Sequence, residues 1–273
     1  MSRPASSSFP CDRLNRPLRL TFELIKYFLA LGLIVFLVDA GLDELGYNWQ
    51  WYRLWRFFWT FGPEGWTPGP LLSGLWVTIR ISALGLVLAT VFGLVAALLR
   101  LSGSYVGRLV AMAYLETIRN TPLLVQIFVM YFVLSPVLGI DAFTSAVVAL
   151  SLFEGAYASE IFRAGILSVP IGQWEAGLAS GLTRPQIYRR IVLPQALRHA
   201  IPPLTGQAVS LVKDSALVST IAIYDLTMQA QAIVSQTFLT FEVWFAVAGV
   251  YLVLNLILSL TATLLERRMA LRS

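Results

Sequence analysis

Apolar runs long enough to cross a bilayer recur along the whole chain, and they decide which solvent it folds in. Residues 21–38, 71–99, a stretch opening at Arg108 and continuing to about Phe132, then 143–166, 196–223 and 242–265 are each predominantly apolar. A helix of ~20 such residues spans the ~30 Å hydrocarbon core of a membrane. Composition agrees: 57% of the 273 residues are hydrophobic and 13% charged, with mean hydropathy +0.72, whereas soluble domains average ~25% charged residues. The expected fold is an all-α integral membrane protein with about six transmembrane helices.

The polar residues between these runs are unevenly placed. Residues 1–20 are Ser- and Arg-rich and read as a cytoplasmic tail. No small-residue cleavage site follows 21–38, so that run is expected to be retained as an extra N-terminal helix instead of being removed as a signal. With the aromatic segment that follows, it makes an extension over 21–70. Eight aromatic residues lie between Tyr47 and Trp59, a density suited to the headgroup level on the outer side. Gly62, Pro63, Gly65, Pro68, Gly69 and Pro70 form a turn-rich join to a main transmembrane domain over 71–273.

Sidedness follows from the cations. The basic N-terminal tail, Arg100 and Arg108, the arginines between 184 and 190, and Arg267, Arg268 and Arg272 all fall on one side if both termini are cytoplasmic. Only Arg53 and Arg56 are clearly on the other. Topology therefore absorbs the net charge of +5, and nucleic acid is not an expected partner. Cys11 is the single cysteine and His199 the single histidine, so neither an internal disulfide nor a Cys or His metal cluster is expected. The only lysines are Lys26 and Lys213, and no GxxxxGK[ST] phosphate loop is present.

Residues 175–194 are a polar, basic interruption between two apolar runs. Glu175 and Ala176 open a helical pattern. Gly181 stands where a helix end needs a left-handed residue, and Thr183 to Gln186 has the form of a capping box with Pro185 in the first turn of the next helix. The spacing of Glu175, Ala176, Gly177, Gly181, Ile191, Leu193 and Pro194 resembles the EAA loop of ABC importer permeases. Gly177 is the one departure, standing where a second alanine is usual at a helix-propensity cost of ~1 kcal/mol. Residues 114–126, 155–166, 172–175, 193–204 and 211–219 further resemble the polar amino acid uptake branch of that family, over roughly residue 71 to the C-terminus.

The resemblance implies a MetI-like helical core in the cell inner membrane and a coupling loop over 168–194 that docks on an ABC ATP-binding protein dimer. Arg189 would be among the docking residues. It also implies a periplasmic amino-acid-binding protein, a second permease subunit that is identical or a paralogue, and no cofactor beyond the ATP held by a partner. The expected function is a translocation subunit, not an enzyme, working by alternating access. An ion-coupled secondary transporter is the alternative, although no internal repeat is visible.

Ionisable groups inside spans are costly and become candidates for function. Glu154 lies near the middle of the fourth run, beside Gly155 and Ala158, which admit a close neighbour. Pro203, Gln207, Ser210 and Asp214 recur at three- and four-residue steps and share one helical face, with Lys213 next to it. This face offers a zwitterionic amino acid both a donor and an acceptor, or else Lys213 forms an ion pair with Asp214 or Glu154. Glu116 and Arg119 are an i,i+3 pair. With Glu160 and Arg163 they are expected to set packing or the inner gate.

Overall fold

The computed structural model describes residues 24–33, 36–37, 41, 47–62 and 65–270, so the predicted tail, the ends and a two-residue stretch of the first predicted span, and Arg272 lie outside the described residues. The chain divides into two units, 1–49 and 50–273. In the first, α1 (Leu24–Leu33) is an apolar helix of ten residues, about 15 Å long at ~1.5 Å per residue. The rest of the predicted 21–38 span is largely outside the described residues.

The second unit is helical apart from one hairpin. A 3-10 turn (Trp51–Arg53) and a short α2 (Trp55–Phe58) lead into β1 (Trp59–Gly62) and β2 (Gly65–Pro68), which pair antiparallel with Phe61 opposite Trp66. The turn-rich join is thus a folded hairpin, which the density of Gly and Pro concealed. Among the described residues three helices are long and apolar enough to span: α3 (Pro70–Leu101), α7 (Ala142–Leu167) and α12 (Thr240–Ala270). The central crossing of α3 on α7 depends on small residues. A methyl group on Gly93 would lie 2.7 Å from the Ala158 Cβ, and one on Gly155 would lie 3.0 Å from Phe92 Cβ. The neighbour that Gly155 and Ala158 admit is therefore α3.

Two further spans are broken. The third run is not one helix: α4 (Tyr105–Arg119) and the stretch from α5 (Leu123–Phe128) through a π-helical turn to α6 (Ser135–Leu138) meet at 108° around Pro122. Proline removes a donor and leaves carbonyls of the preceding turn without partners. Gln126 supplies what is lost: its Nε2 donates to Ile118 O at 2.7 Å, Thr121 O at 3.0 Å and Thr121 Oγ1 at 2.8 Å. The second break separates the 3-10 turn Ser215–Ile221 from α11 (Leu226–Thr237). The residues between the fifth and sixth apolar runs are thus mostly helical: Asp225 Oδ1 accepts the Met228 N–H at 2.8 Å as an N-cap, and Thr78 Oγ1 accepts the Leu226 N–H at 3.1 Å. An apolar cluster of Ile81, Ile127, Leu150 and Val218 fills the space between α3, α5 and α7.

Replacing Gln126 with Leu keeps the volume and removes the donor. It should destabilise the protein by about 1–3 kcal/mol, the cost of buried carbonyls left unpaired, read as a lower thermal unfolding midpoint in detergent, while Val125→Ala at an exposed neighbouring position should change it far less.

Candidate functional site

The elbow after α7 is built by two local devices. α8 (Ile171–Ala179) ends where Leu182 N–H donates to Gly177 O at 3.1 Å and Gly181 N–H to Leu178 O at 3.0 Å. Gly181 has φ +74°, the left-handed residue that such a helix end requires. α9 (Arg184–Ile187) then begins with Gln186 Oε1 accepting the Thr183 N–H at 2.8 Å, the return half of the capping box. The second helix of the elbow does not stop before the fifth apolar run. α9 runs through a π-helical turn (Tyr188–Val192) straight into α10 (Leu193–Asp214), so elbow and fifth span are one continuous helix. Pro194 follows this wider turn directly.

Gly177 has a packing reason that its departure from alanine concealed. It is buried, and a methyl group there would lie 2.9 Å from Ile187 Cγ1 and 3.1 Å from Ile191 Cδ1. The glycine lets α8 lie against the start of the long helix. Trp174 and Tyr188 meet edge-to-face at 4.7 Å on the same side, and Ile166, Val169, Ile187 and Val192 form the core of the corner. Glu175, Ala176, Arg184, Arg189 and Arg190 remain exposed, with Ile191 and Leu193 half-buried.

Above the elbow, Glu160 on α7 collects three arginines. Arg100 donates to its Oε1, Arg163 Nε to its Oε2 at 2.9 Å, and Arg119 approaches Oε1 at 3.6 Å while lying 5.8 Å from the Tyr157 ring centre. The predicted pairing of Glu116 with Arg119 does not form. Glu116 instead accepts the Asn120 side chain at 3.0 Å, because α4 ends there and Arg119 is drawn across to α7. The node ties α3, α4 and α7 together at one end of the bundle. Arg100 was legible only as the cation closing an apolar run.

Deeper in the bundle, Glu154 is 1% exposed. Its Oε2 accepts from Gln207 Nε2 on α10, its Oε1 has no hydrogen-bond partner, and Asp214 is close enough for the two carboxyls to act on each other. Gln207, Ser210 and Asp214 are half-buried on one face of α10, and Lys213 is exposed. Among the described residues Lys213 makes no ion pair with either carboxylate. Tyr114, which sequence reasoning passed over within its motif, donates to Leu152 O at 2.6 Å and fixes the turn of α7 that carries Glu154. The structure thus brings Glu154, Gln207 and Asp214 together, and keeps the elbow and the Glu160 node as separate sites.

Residues 89–271 match the family described as binding-protein-dependent transport system inner membrane component. The chain belongs to this family. Among its relatives is the glutamine transport system permease protein GlnP of Escherichia coli (strain K12), 43% identical over 208 residues, which are 75% of this chain and 95% of that protein. Another is the L-cystine transport system permease protein TcyB of Bacillus subtilis (strain 168), 42% identical over 73% of this chain and 87% of that protein. The crystal structure of an amino acid ABC transporter with histidines superposes with TM-score 0.67 at 39% identity, covering 73% of this chain and 94% of that one. The MetNI methionine ABC transporter, at 22% identity and TM-score 0.64 over 73% of this chain and 96% of that one, shares the fold. About a quarter of this family member is unmatched by GlnP.

Gly177→Val should destabilise the corner by about 1–3 kcal/mol through overpacking, and Ile187→Ala in the same chain should restore part of the loss. Thermal unfolding of the single and double variants checks the pairing.

Proposed function

We propose that the chain is the translocation subunit of an ATP-driven importer for a polar amino acid, moving its substrate by alternating access while a separate ABC ATP-binding protein dimer hydrolyses ATP. A periplasmic amino-acid-binding protein delivers the ligand, and a second permease, identical or paralogous, completes the path. Both termini are cytoplasmic in this reading, which puts the elbow on the side where ATP is available. Residue 21–70 is an appended segment, and 71–273 is the permease domain.

One observation carries the coupling part of this reading. The second half of the elbow and the Gln207, Ser210 and Asp214 face belong to the same helix, Arg184 to Asp214, which includes the π-helical turn and carries Pro202 and Pro203, about 45 Å long at ~1.5 Å per residue. A displacement imposed on Arg184 and Arg189 by a docked ATPase therefore reaches the half-buried polar face along one helix, past Pro202 and Pro203, while Glu175 acts on that helix through the packing of Gly177 against Ile187 and Ile191. Glu154 is held on α7, so tilting α10 changes the distance between Glu154 and Gln207. An effector can bias two conformations only by binding them unequally, and this pair of helices offers the ATPase and the substrate two such conformations to distinguish. At the polar face, the carboxyls of Glu154 and Asp214 accept from a substrate ammonium, and Gln207, Ser210 and exposed Lys213 supply donors for its carboxylate.

The test uses the complete transporter in vesicles. Asp214→Asn and Glu154→Gln should each lower amino acid uptake at least about tenfold, the loss of ~1.4 kcal/mol or more of interaction, while ATP hydrolysis without substrate persists. Replacing Arg190 and Ile191 together with Gly softens the join at ~1 kcal/mol of helix propensity each. It should leave ATP hydrolysis in place and abolish uptake. Uptake that continues without ATP and collapses with a protonophore would show an ion-coupled carrier instead.

A further inference from the structure

The segment ahead of α3 forms a built feature that the transport reading does not use. Gln50 N–H donates to the buried Glu242 at 2.7 Å, Phe57 packs with Leu71, Leu226 and Val243, and Gly69 N–H donates to Phe58 O at 2.7 Å. These contacts hold the hairpin against the Pro70 end of α3. That end is opposite the elbow, because Arg100 at the other end of α3 is bound to Glu160 at the elbow end of α7.

The hairpin has two unlike faces, as alternation along a strand requires. Thr60 and Thr67 pair through their hydroxyls at 2.8 Å on one. On the other, Phe61 and Trp66 meet at 5.4 Å, next to Trp59. Trp59 and Trp66, together with Tyr52 and Trp55, line a cleft of about 670 Å³ whose charged wall, among the described residues, is Arg56. The aromatic side chains are exposed: Tyr52 is 79%, Trp55 72%, Phe61 76% and Trp66 71% accessible. Among the described residues no carboxylate pairs with Arg56, whose guanidinium lies 4.9 Å from the Phe57 ring centre.

We infer that this cleft seats one phospholipid of the outer leaflet, its phosphate at Arg56 and its upper acyl chains against Trp55, Trp59 and Trp66. The features of the cleft together favour a lipid over a docking protein. Exposed apolar area on this scale marks a membrane or partner contact, and aromatic rings of amphipathic character collect at headgroup depth. The cleft adjoins the start of α3, whose Trp76, Val87, Val91 and Val95 form an exposed apolar side suited to acyl chains. A cation that no carboxylate pairs with among the described residues complements a phosphate.

The assembled transporter, released from vesicles of phosphatidylglycerol and phosphatidylethanolamine, is examined by native mass spectrometry for retained phospholipid. Arg56→Gln should retain about fivefold less at this position, the effect of one cation at an anionic surface, and Arg56→Lys should retain most of it. Glycerol phosphate, which has the same head and no acyl chains, should not displace it. A photocrosslinking residue at position 66 should capture phospholipid, a measurement that stands whatever Arg56→Gln does to folding. Equal retention in Arg56→Gln, displacement by glycerol phosphate, or capture of the binding protein from position 66 would each overturn the assignment.

Discussion

A backbone inside hydrocarbon has no water to satisfy its N–H and C=O groups, and each one left unpaired costs several kcal/mol. Uninterrupted helices meet this demand without help. Two interruptions in this chain are met by named side chains: Gln126 caps the carbonyls released at Pro122, and Asp225 and Thr78 take the first donors of α11. The bends that give the permease its shape exist where those side chains stand. Without them the polar groups at both breaks would favour straight helices or a different topology.

The same scarcity of polar partners makes the centre of the bundle informative. Glu154 is enclosed by the α3–α7 crossing, which Gly93, Gly155 and Ala158 allow to close. Its hydrogen bond comes from another helix, Gln207 on α10. A carboxyl held on one helix and read by the next is sensitive to their relative tilt. The Glu160 node works differently: three arginines from three helices surround one acid nearer the elbow, so it joins elements more than it offers an open position.

The elbow unites local and long-range physics. Gly181 and the Thr183–Gln186 cap are local devices, complete within a dozen residues. The close packing of Gly177 under Ile187 and Ile191 fixes α8 against the root of the long helix, and the π-helical turn carries that root into α10 ahead of Pro194. Corner and span consequently move as one piece in the proposed cycle.

Sequence alone determined the solvent, the helical class, the long apolar helices α3, α7 and α12, the elbow with its caps, and the polar face of α10, because hydropathy and local capping are properties of consecutive residues. The family resemblance was legible for the same reason, since its motif is contiguous. The tertiary structure decided that the third run bends by 108°, that residues 226–237 are helical, that Arg119 pairs with Glu160 instead of Glu116, and that Glu154 meets Gln207. Each of these is a choice among partners far apart in the chain, and such a choice depends on which helices touch. Residue spacing does not encode that.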